Sequence, residues 1–232
     1  HLSLRRQRQM CIRDRYTFSA WSATDGGAAI TFPYAHSQTA DFTLYALWTA
    51  NTFTITYDAK GGSFVTGGSV NTGASISSAP TAPTKSGYTF SGWSATDGGT
   101  LITFPYAHGQ TSSFTLYAVW AANALTIAYD SQGGSVLSNG SVNTGASISA
   151  APTAPTKPGY TLTGWSATST GSVVTFPYAH NQTANFTLYA IWTANTLTVT
   201  FDSQSGSVVS NGSVATDAKL TAPTAPTRTG YT

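Results

Sequence analysis

Histidine stands at positions 36, 108 and 180, aspartate at 58, 130 and 202, and lysine at 85 and 157. Neighbours within each set are 72 residues apart. Such side chains can ligate a metal, share a proton or form a crosslink, and spacing decides among these chemistries. A zinc site takes three or four ligands. No second His or Cys lies beside His36, His108 or His180, and the chain contains no Glu. The histidines therefore read as loop or packed residues, and no metal site is assigned. Hydrolysis by paired carboxylates needs two acids at one site. Asp58 has Asp97 in one copy, but the position equivalent to Asp97 is Ser169 in the next. The recurring aspartates are expected in turns, accepting bonds from nearby backbone N–H groups. GxSxG and GxxxxGK are both absent, so neither a nucleophile elbow nor a phosphate loop is expected. The chain reads as non-enzymatic, with no catalytic residue and no cofactor. Lys85 and Lys157 have no acid partner nearby in sequence, which argues against an internal Lys–Asn crosslink.

Those spacings belong to a repeat of nearly the whole chain. Trp21, Trp93 and Trp165 keep the same interval, as do Trp48, Trp120 and Trp192. WSAT recurs at 21–24, 93–96 and 165–168, and FTLYA at 42–46, 114–118 and 186–190. A fixed period marks one supersecondary unit copied in tandem. Residues 51–122 and 123–194 are full repeats. Residues 16–50 are the C-terminal half of a repeat, and 195–232 are the N-terminal half of another. Residues 1–15, HLSLRRQRQMCIRDR, share nothing with the repeats. They lack the apolar core of about 7–15 residues that a secretory signal needs. They read as translated sequencing-adapter text, an artefact rather than native chain. Both ends break off mid-repeat, so the chain is expected to be a piece of a longer array.

Charged residues make up only 8% of the chain. Five of the ten basic residues, Arg5, Arg6, Arg8, Arg13 and Arg15, fall in the leader beside Asp14. The remainder holds five bases and seven acids, a net charge of 5 − 7 = −2. The repeats therefore carry no basic stripe for nucleic acid and no polybasic patch for anionic lipid. No apolar run approaches the roughly 18 residues of a membrane-spanning helix, so no membrane insertion is expected. The single cysteine, Cys11, lies in the leader, which leaves the repeats without a disulfide framework.

Period-two alternation in Phe53, Ile55 and Tyr57 predicts a half-buried strand. Asn139-Gly140 and Asn211-Gly212 suit a two-residue type I′ hairpin turn. PTAPT at 80–84, 152–156 and 223–227 predicts an extended connector. Tyr88 to Trp93 predicts a strand with a bulge near Gly92, and near Gly164 in the next copy, that returns the indole to the core. Leu101 to Phe104 reads as a short strand ended by Pro105, and Tyr106 to Gln110 as a loop. FTLYAVW at 114–120 is apolar on both faces and predicts a central strand. Ala74 to Ala79 offers at most one helical turn. The fold class is mostly β, with little or no helix, in tandem 72-residue repeats forming an elongated array.

The elements YDAKGG (57–62), APTAPTKSGYTFSGW (79–93) and FTLYAVW (114–120) occur in this order. So do YDSQGG (129–134), APTAPTKPGYTLTGW (151–165) and FTLYAIW (186–192). In these elements residues 16–232 resemble the Listeria–Bacteroides repeat family, which includes the internalin B-type B repeat. The resemblance implies β-grasp, ubiquitin-like modules in secreted or surface-anchored bacterial proteins, serving as spacers or accessory adhesive domains. The PYAH segments at 33–36, 105–108 and 177–180 depart from that family's pattern.

The expected function is a semi-rigid stalk in an extracellular or cell-envelope protein, with modules about 30 Å across. The alternative is a multivalent adhesin that binds a glycan or a host surface protein. For that role Tyr117 and Tyr189 are the ligand-binding candidates, as the rings most expected to face outward.

Overall fold

The protein is described by a computed structural model covering residues 15–231. The artefact reading of the leader concerns residues outside this range, except for Arg15. The described chain divides into two compact units, one ending at Ala121 and the other beginning at Ala122.

The first unit opens with a three-stranded sheet. Its strands are β1 (Tyr16–Ser22), β2 (Ala29–Ile30) and β3 (Tyr45–Ala50), in the order β2-β1-β3. The first full repeat follows with β4 (Thr52–Asp58), β5 (Gly68–Asn71), β6 (Ser75–Ile76), β7 (Tyr88–Ser94), β8 (Tyr106–Ala107) and β9 (Phe114–Ala122). Its main sheet has the order β5-β4-β9-β7, and β6 pairs separately with β8. The second full repeat copies this with β10 (Ala124–Asp130), β11 (Gly140–Asn143), β12 (Ser147–Ile148), β13 (Tyr160–Ser166), β14 (Tyr178–Ala179) and β15 (Phe186–Ala194). Its sheet order is β11-β10-β15-β13, with β12 paired to β14. The chain closes with the hairpin β16 (Thr196–Val199) and β17 (Gly212–Ala215).

In each full repeat the first and last strands are parallel and adjacent. Ile55 lies opposite Phe114 and Tyr57 opposite Leu116, and the same pairs recur as Ile127–Phe186 and Tyr129–Leu188. A central parallel pair with antiparallel flanks is the β-grasp sheet that the resemblance implies. No helix occurs among the described residues; β6, the PTAPT connector and the segment through β8 form the crossover. Central strands are apolar on both faces because both are covered. In β9, Leu116 and Ala118 are buried while Thr115, Tyr117 and Val119 are half-buried on the other face.

Each repeat closes its own core. One gathers Ile55, Val65, Val70, Ile76, Trp93, Leu116 and Ala118. The other gathers Leu125, Ile127, Val142, Ile148, Trp165, Leu188 and Ala190, equivalent to the first set except that Leu125 enters and Leu137, the equivalent of Val65, is only partly buried. Trp93 meets Tyr57 edge-on, with ring centroids 4.9 Å apart, and Trp165 meets Tyr129 at 5.3 Å. The expected bulge is present: between β13 and β15 the register shifts from Leu162 to Gly164, which turns Trp165 inward. A Cβ on Gly92 would lie 3.1 Å from Leu101 Cδ2, and one on Gly164 would overlap the Val173 side chain. The first copy has Ala20 at this place, and the residue equivalent to Leu101 and Val173 is the smaller Ala29. There the register shifts between Phe18 and Ala20 without glycine.

Three expectations are corrected. Asn139-Gly140 is not the hairpin turn. Gly140 is the first residue of β11, opposite Ile127. Glycine is needed there because a Cβ would lie 2.5 Å from the Tyr129 hydroxyl and 3.1 Å from its ring. The type I′ turn sits earlier, at Ala59-Lys60-Gly61-Gly62, where Lys60 and Gly61 have φ of 50° and 82° and Gly62 N–H donates to Ala59 O at 3.0 Å. Ser131 to Gly134 and Ser203 to Gly206 repeat it, again with positive φ at the second and third residues. The strand expected at Leu101 to Phe104 shrinks to a single bridge between Leu101 and Ser94. The pairing moves instead to Tyr106–Ala107, expected to be a loop, because its partner Ser75–Ile76 is a strand and not a helical turn.

Candidate functional surface

The recurring polar residues are occupied in building the repeat. Asp58, Asp130 and Asp202 each accept a backbone N–H two residues on, from Lys60, Gln132 and Gln204, at 2.8, 2.8 and 2.9 Å. That bond supports the positive φ of the residue it holds. Lys85 Nζ donates to Lys60 O at 2.9 Å, and Lys157 Nζ to Gln132 O at 3.0 Å. Their ammonium groups stand 4.5 and 4.4 Å from the rings of Tyr88 and Tyr160. Each lysine thus ties the turn carbonyl to an aromatic face. Trp120 Nε1 donates to Ala59 O and Trp192 Nε1 to Ser131 O, which fastens the same turn to the last strand.

His108 and His180 are buried, stacked on Phe114 and Phe186 at 5.1 and 5.0 Å. Nδ1 accepts the backbone N–H of Gln110 or Gln182 at 3.0 Å. That bond places the proton on Nε2, which faces Asn71 O or Asn143 O at 3.5 and 3.4 Å. His36 keeps the Nδ1 bond, to Gln38, but is exposed. No cluster of three or more His, Cys, Asp or Glu suited to a metal occurs among the described residues.

Two repeat junctions lie inside the compact units, and they match. Asn51 N–H donates to Arg15 O at 2.9 Å, and Asn195 N–H to Gly159 O at 2.8 Å. Thr17 Oγ1 donates to Asn51 Oδ1 and Thr161 Oγ1 to Asn195 Oδ1, both at 2.6 Å. Thr72 Oγ1 reaches Arg15 O at 2.8 Å in the first junction. In the other, Tyr160 Oη donates to Asp217 Oδ2 at 2.6 Å, and that bond raises the tyrosine's pKa. The start of the third main-sheet strand in one repeat is thus laced to the first residue of the next repeat and to the turn that follows its second strand. Sequence reading missed this lacing. Its visible signal was the Asn that follows each closing strand, at 51, 123 and 195.

Tyr117 and Tyr189 lie on the face of β9 and β15 opposite the buried leucines, and both are half-buried. Lys60 Nζ stands 5.9 Å from the Tyr117 ring and is ion-paired with Asp97 at 2.6 Å. The hydrogen bond to Asp97 raises the lysine's pKa. Gln132 replaces Lys60 in the next repeat, where its side-chain amide donates to Ser169 O. The two tyrosines are therefore not in equivalent surroundings. Phe64, Val136 and Val208, also 72 residues apart, are almost wholly exposed at the tip of the loop before the second strand.

The family model described as the Listeria-Bacteroides repeat domain matches residues 7–47, 53–119, 126–191 and 198–232. The chain belongs to the Listeria–Bacteroides repeat family. It is 42% identical over 118 residues to Internalin H of Listeria monocytogenes, covering 50% of this chain and 21% of that protein. It is 32% identical over 192 residues to a protein of Evansella cellulosilytica named "Putative membrane protein", covering 82% of this chain and 28% of the relative. The chain thus spans between a fifth and a third of the length of these relatives. No helix among the described residues is long and apolar enough to cross a membrane.

Proposed function

We propose that this region is a non-enzymatic spacer of a bacterial cell-surface or secreted protein, holding other domains at a set distance from the envelope. The observation that carries the reading is the matched lacing at Asn51 and Asn195, where the same backbone and side-chain bonds recur between successive repeats. A junction with no free linker residues and several bonds restrains bending better than a flexible connector does. Similarity to Internalin H and to the Evansella protein supports the envelope location. The test is double electron–electron resonance between spin labels on exposed Thr126 and Ser213, on either side of the Asn195 junction. A stalk gives a narrow distance distribution that broadens in Asn195→Gly. A broad distribution in the unaltered chain refutes it.

A second reading, a multivalent adhesin for a glycan or host surface protein, is favoured by the exposed apolar tip at Phe64, Val136 and Val208. Repetition would turn weak single contacts into useful avidity. A glycan array and a host-protein pull-down with the 232-residue chain test it. Binding lost on changing those three residues, or Tyr117 and Tyr189, supports adhesion; absence of specific binding removes it.

A further inference from the structure

In the second full repeat two hollows flank one cluster of rings. The first, about 340 Å³, lies between the Ser131–Gly134 turn and the loop after β13, and is lined by Gln132, Ser169, Thr170 and Ile191. The second, about 440 Å³, is lined by Pro155, Pro158, Thr161 and Leu162. Lys157, Tyr160 and Trp192 line both. Hollows of this size, with aromatic walls and a few polar groups, suit small molecules.

The cluster is held in place by the turn. Lys157 Nζ stands 4.4 Å from the Tyr160 ring and 5.8 Å from the Trp192 ring. Lys157 Nζ donates to Gln132 O and Trp192 Nε1 to Ser131 O, so ammonium and indole are fixed to the same turn. All three side chains are half-buried, each with an apolar body and a polar tip. Lys157 is set against two carboxylates, Asp130 in the turn and Asp217 on Tyr160 Oη, so the cluster carries no net positive charge.

The first repeat keeps the cluster in different surroundings. Lys85 Nζ stands 4.5 Å from the Tyr88 ring and 5.8 Å from the Trp120 ring. Phe90 takes the place of Leu162 and packs edge-on against Trp120 at 5.5 Å. Lys60 and Asp97 take the places of Gln132 and Ser169. A 2.6 Å ion pair therefore stands where the second repeat has an uncharged amide on a backbone carbonyl.

We propose that the Lys157–Tyr160–Trp192 cluster of the second repeat is a carbohydrate site that takes an uncharged pyranose disaccharide, one sugar ring in each hollow. The proposal rests on the adhesive reading and names its ligand class and its site. A pyranose presents a face of C–H groups to aromatic rings and a rim of hydroxyls to polar groups. The cluster offers both partners: the Tyr160 and Trp192 rings for the face, and the Gln132 amide with the Ser169, Thr170 and Thr161 hydroxyls for the rim. A purely apolar ligand would leave those polar groups desolvated and unpaired. One cation against two carboxylates disfavours an anionic sugar. Leu162 leaves space that Phe90 fills in the first repeat, and Gln132 offers an amide where Lys60 and Asp97 spend their charges on each other. The second repeat is therefore the one that binds.

The test is a chemical-shift titration of the 232-residue chain, in which the tryptophan indole N–H signals report on each repeat separately. The probes are cellobiose, lactose, maltose and chitobiose, with glucuronate as the charged control. At least one neutral disaccharide should move the Trp192 indole signal to saturation and the Trp120 signal far less. Glucuronate should move neither. Leu162→Phe, and Gln132→Lys combined with Ser169→Asp, install residues that the fold already accepts in the first repeat. Each change should weaken binding by about tenfold, the loss of one good contact. The reverse exchange, Phe90→Leu with Lys60→Gln and Asp97→Ser, should bring binding to Trp120. A Trp192 signal that no neutral disaccharide moves overturns the proposal. So does binding that neither exchange weakens, or a response to glucuronate alone. If a sugar binds elsewhere, or only a host protein is captured, this site falls and the adhesive reading stands; if neither sugar nor protein binds, both fall.

Discussion

Replacing one glycine by alanine at two places 72 residues apart is expected to move stability in opposite directions. Gly68 and Gly140 both open the second strand of a repeat, opposite Ile55 and Ile127. Neither has positive φ, so the backbone accepts alanine at each. A Cβ on Gly68 would sit 3.9 Å from Ile55 Cδ1 and Tyr57 Cε2, ordinary van der Waals contact. Gly68→Ala then acts mainly by reducing the freedom of the unfolded chain, a gain of about 0.4–1 kcal/mol. A Cβ on Gly140 would sit 2.5 Å from Tyr129 Oη and 3.1 Å from Cε2 and Cζ. Tyr129 is packed edge-on against buried Trp165 and cannot swing freely. Overpacking of this kind costs about 1–3 kcal/mol. Set against the chain-entropy gain, Gly140→Ala should destabilise its repeat by about 1–2 kcal/mol. Adding Tyr129→Phe removes the nearest atom and should recover part of that loss. The assay is native-state hydrogen exchange on the whole chain, where each repeat serves as the reference for the other. Roughly 1.4 kcal/mol is a tenfold change in exchange rate for amides that open with the repeat. Equal losses from Gly68→Ala and Gly140→Ala, with no effect of Tyr129→Phe, would show that glycine is required by a turn and refute the packing argument.

Other perturbations probe the bulge, the histidine, the lysine and the half-buried tyrosines Tyr57 and Tyr129. Gly164→Ala should destabilise residues 123–194 by about 1–3 kcal/mol, and Val173→Ala should recover only the part owed to the close Val173 contact, because φ of 158° at Gly164 strains a side chain even with that space cleared; a double-mutant cycle measures the coupling. His180→Ala should cost about 1–3 kcal/mol by leaving the Gln182 N–H without its acceptor, whereas exposed His36→Ala should cost far less, as amide exchange at Gln182 and Gln38 would report. Lys157→Met should loosen the Ser131–Gly134 turn by about 1 kcal/mol through loss of the bond to Gln132 O, read as faster exchange at Gly134. Burial pushes the Tyr57 and Tyr129 phenols above their ordinary pKa. A raised folded-state value means the contribution is whole below the unfolded value near pH 10, and is lost as pH climbs through the folded one. Tyr57→Phe should therefore blunt the alkaline loss of protection in 51–122, and Phe201 shows that the position takes phenylalanine.

Much of the fold was legible because the strands that matter are long and periodic. FTLYA followed by Trp is apolar at every second place and nearly so between, so a central strand was readable. The bulge was readable because Phe90 and Trp93 have opposite parity on one strand yet both belong to the core. The hairpin turn was misread because Asn-Gly satisfies the dihedral rule so well. The chain instead placed positive φ at Lys60 and Gln132, where an upstream Asp holds the next-but-one N–H. The glycine of Asn139-Gly140 makes room for the ring of Tyr129, two residues beyond its partner Ile127 on the neighbouring strand, a contact no local rule contains. The β6–β8 pair was invisible for the same reason, since two-residue strands carry no period. The junction side-chain bonds join residues 34 or 57 apart in sequence, so only tertiary structure brings Thr17 to Asn51 and Tyr160 to Asp217.

The central claim is that each 72-residue copy folds onto itself, its last strand returning to lie parallel with its own first strand. Nuclear Overhauser contacts in a dilute sample, with Ile127, Tyr129, Phe186 and Leu188 isotopically labelled, test this directly. The account predicts cross-strand contacts between Ile127 and Phe186 and between Tyr129 and Leu188. Contacts that instead joined Phe186 and Leu188 to Leu197 and Val199 of the following repeat would contradict it.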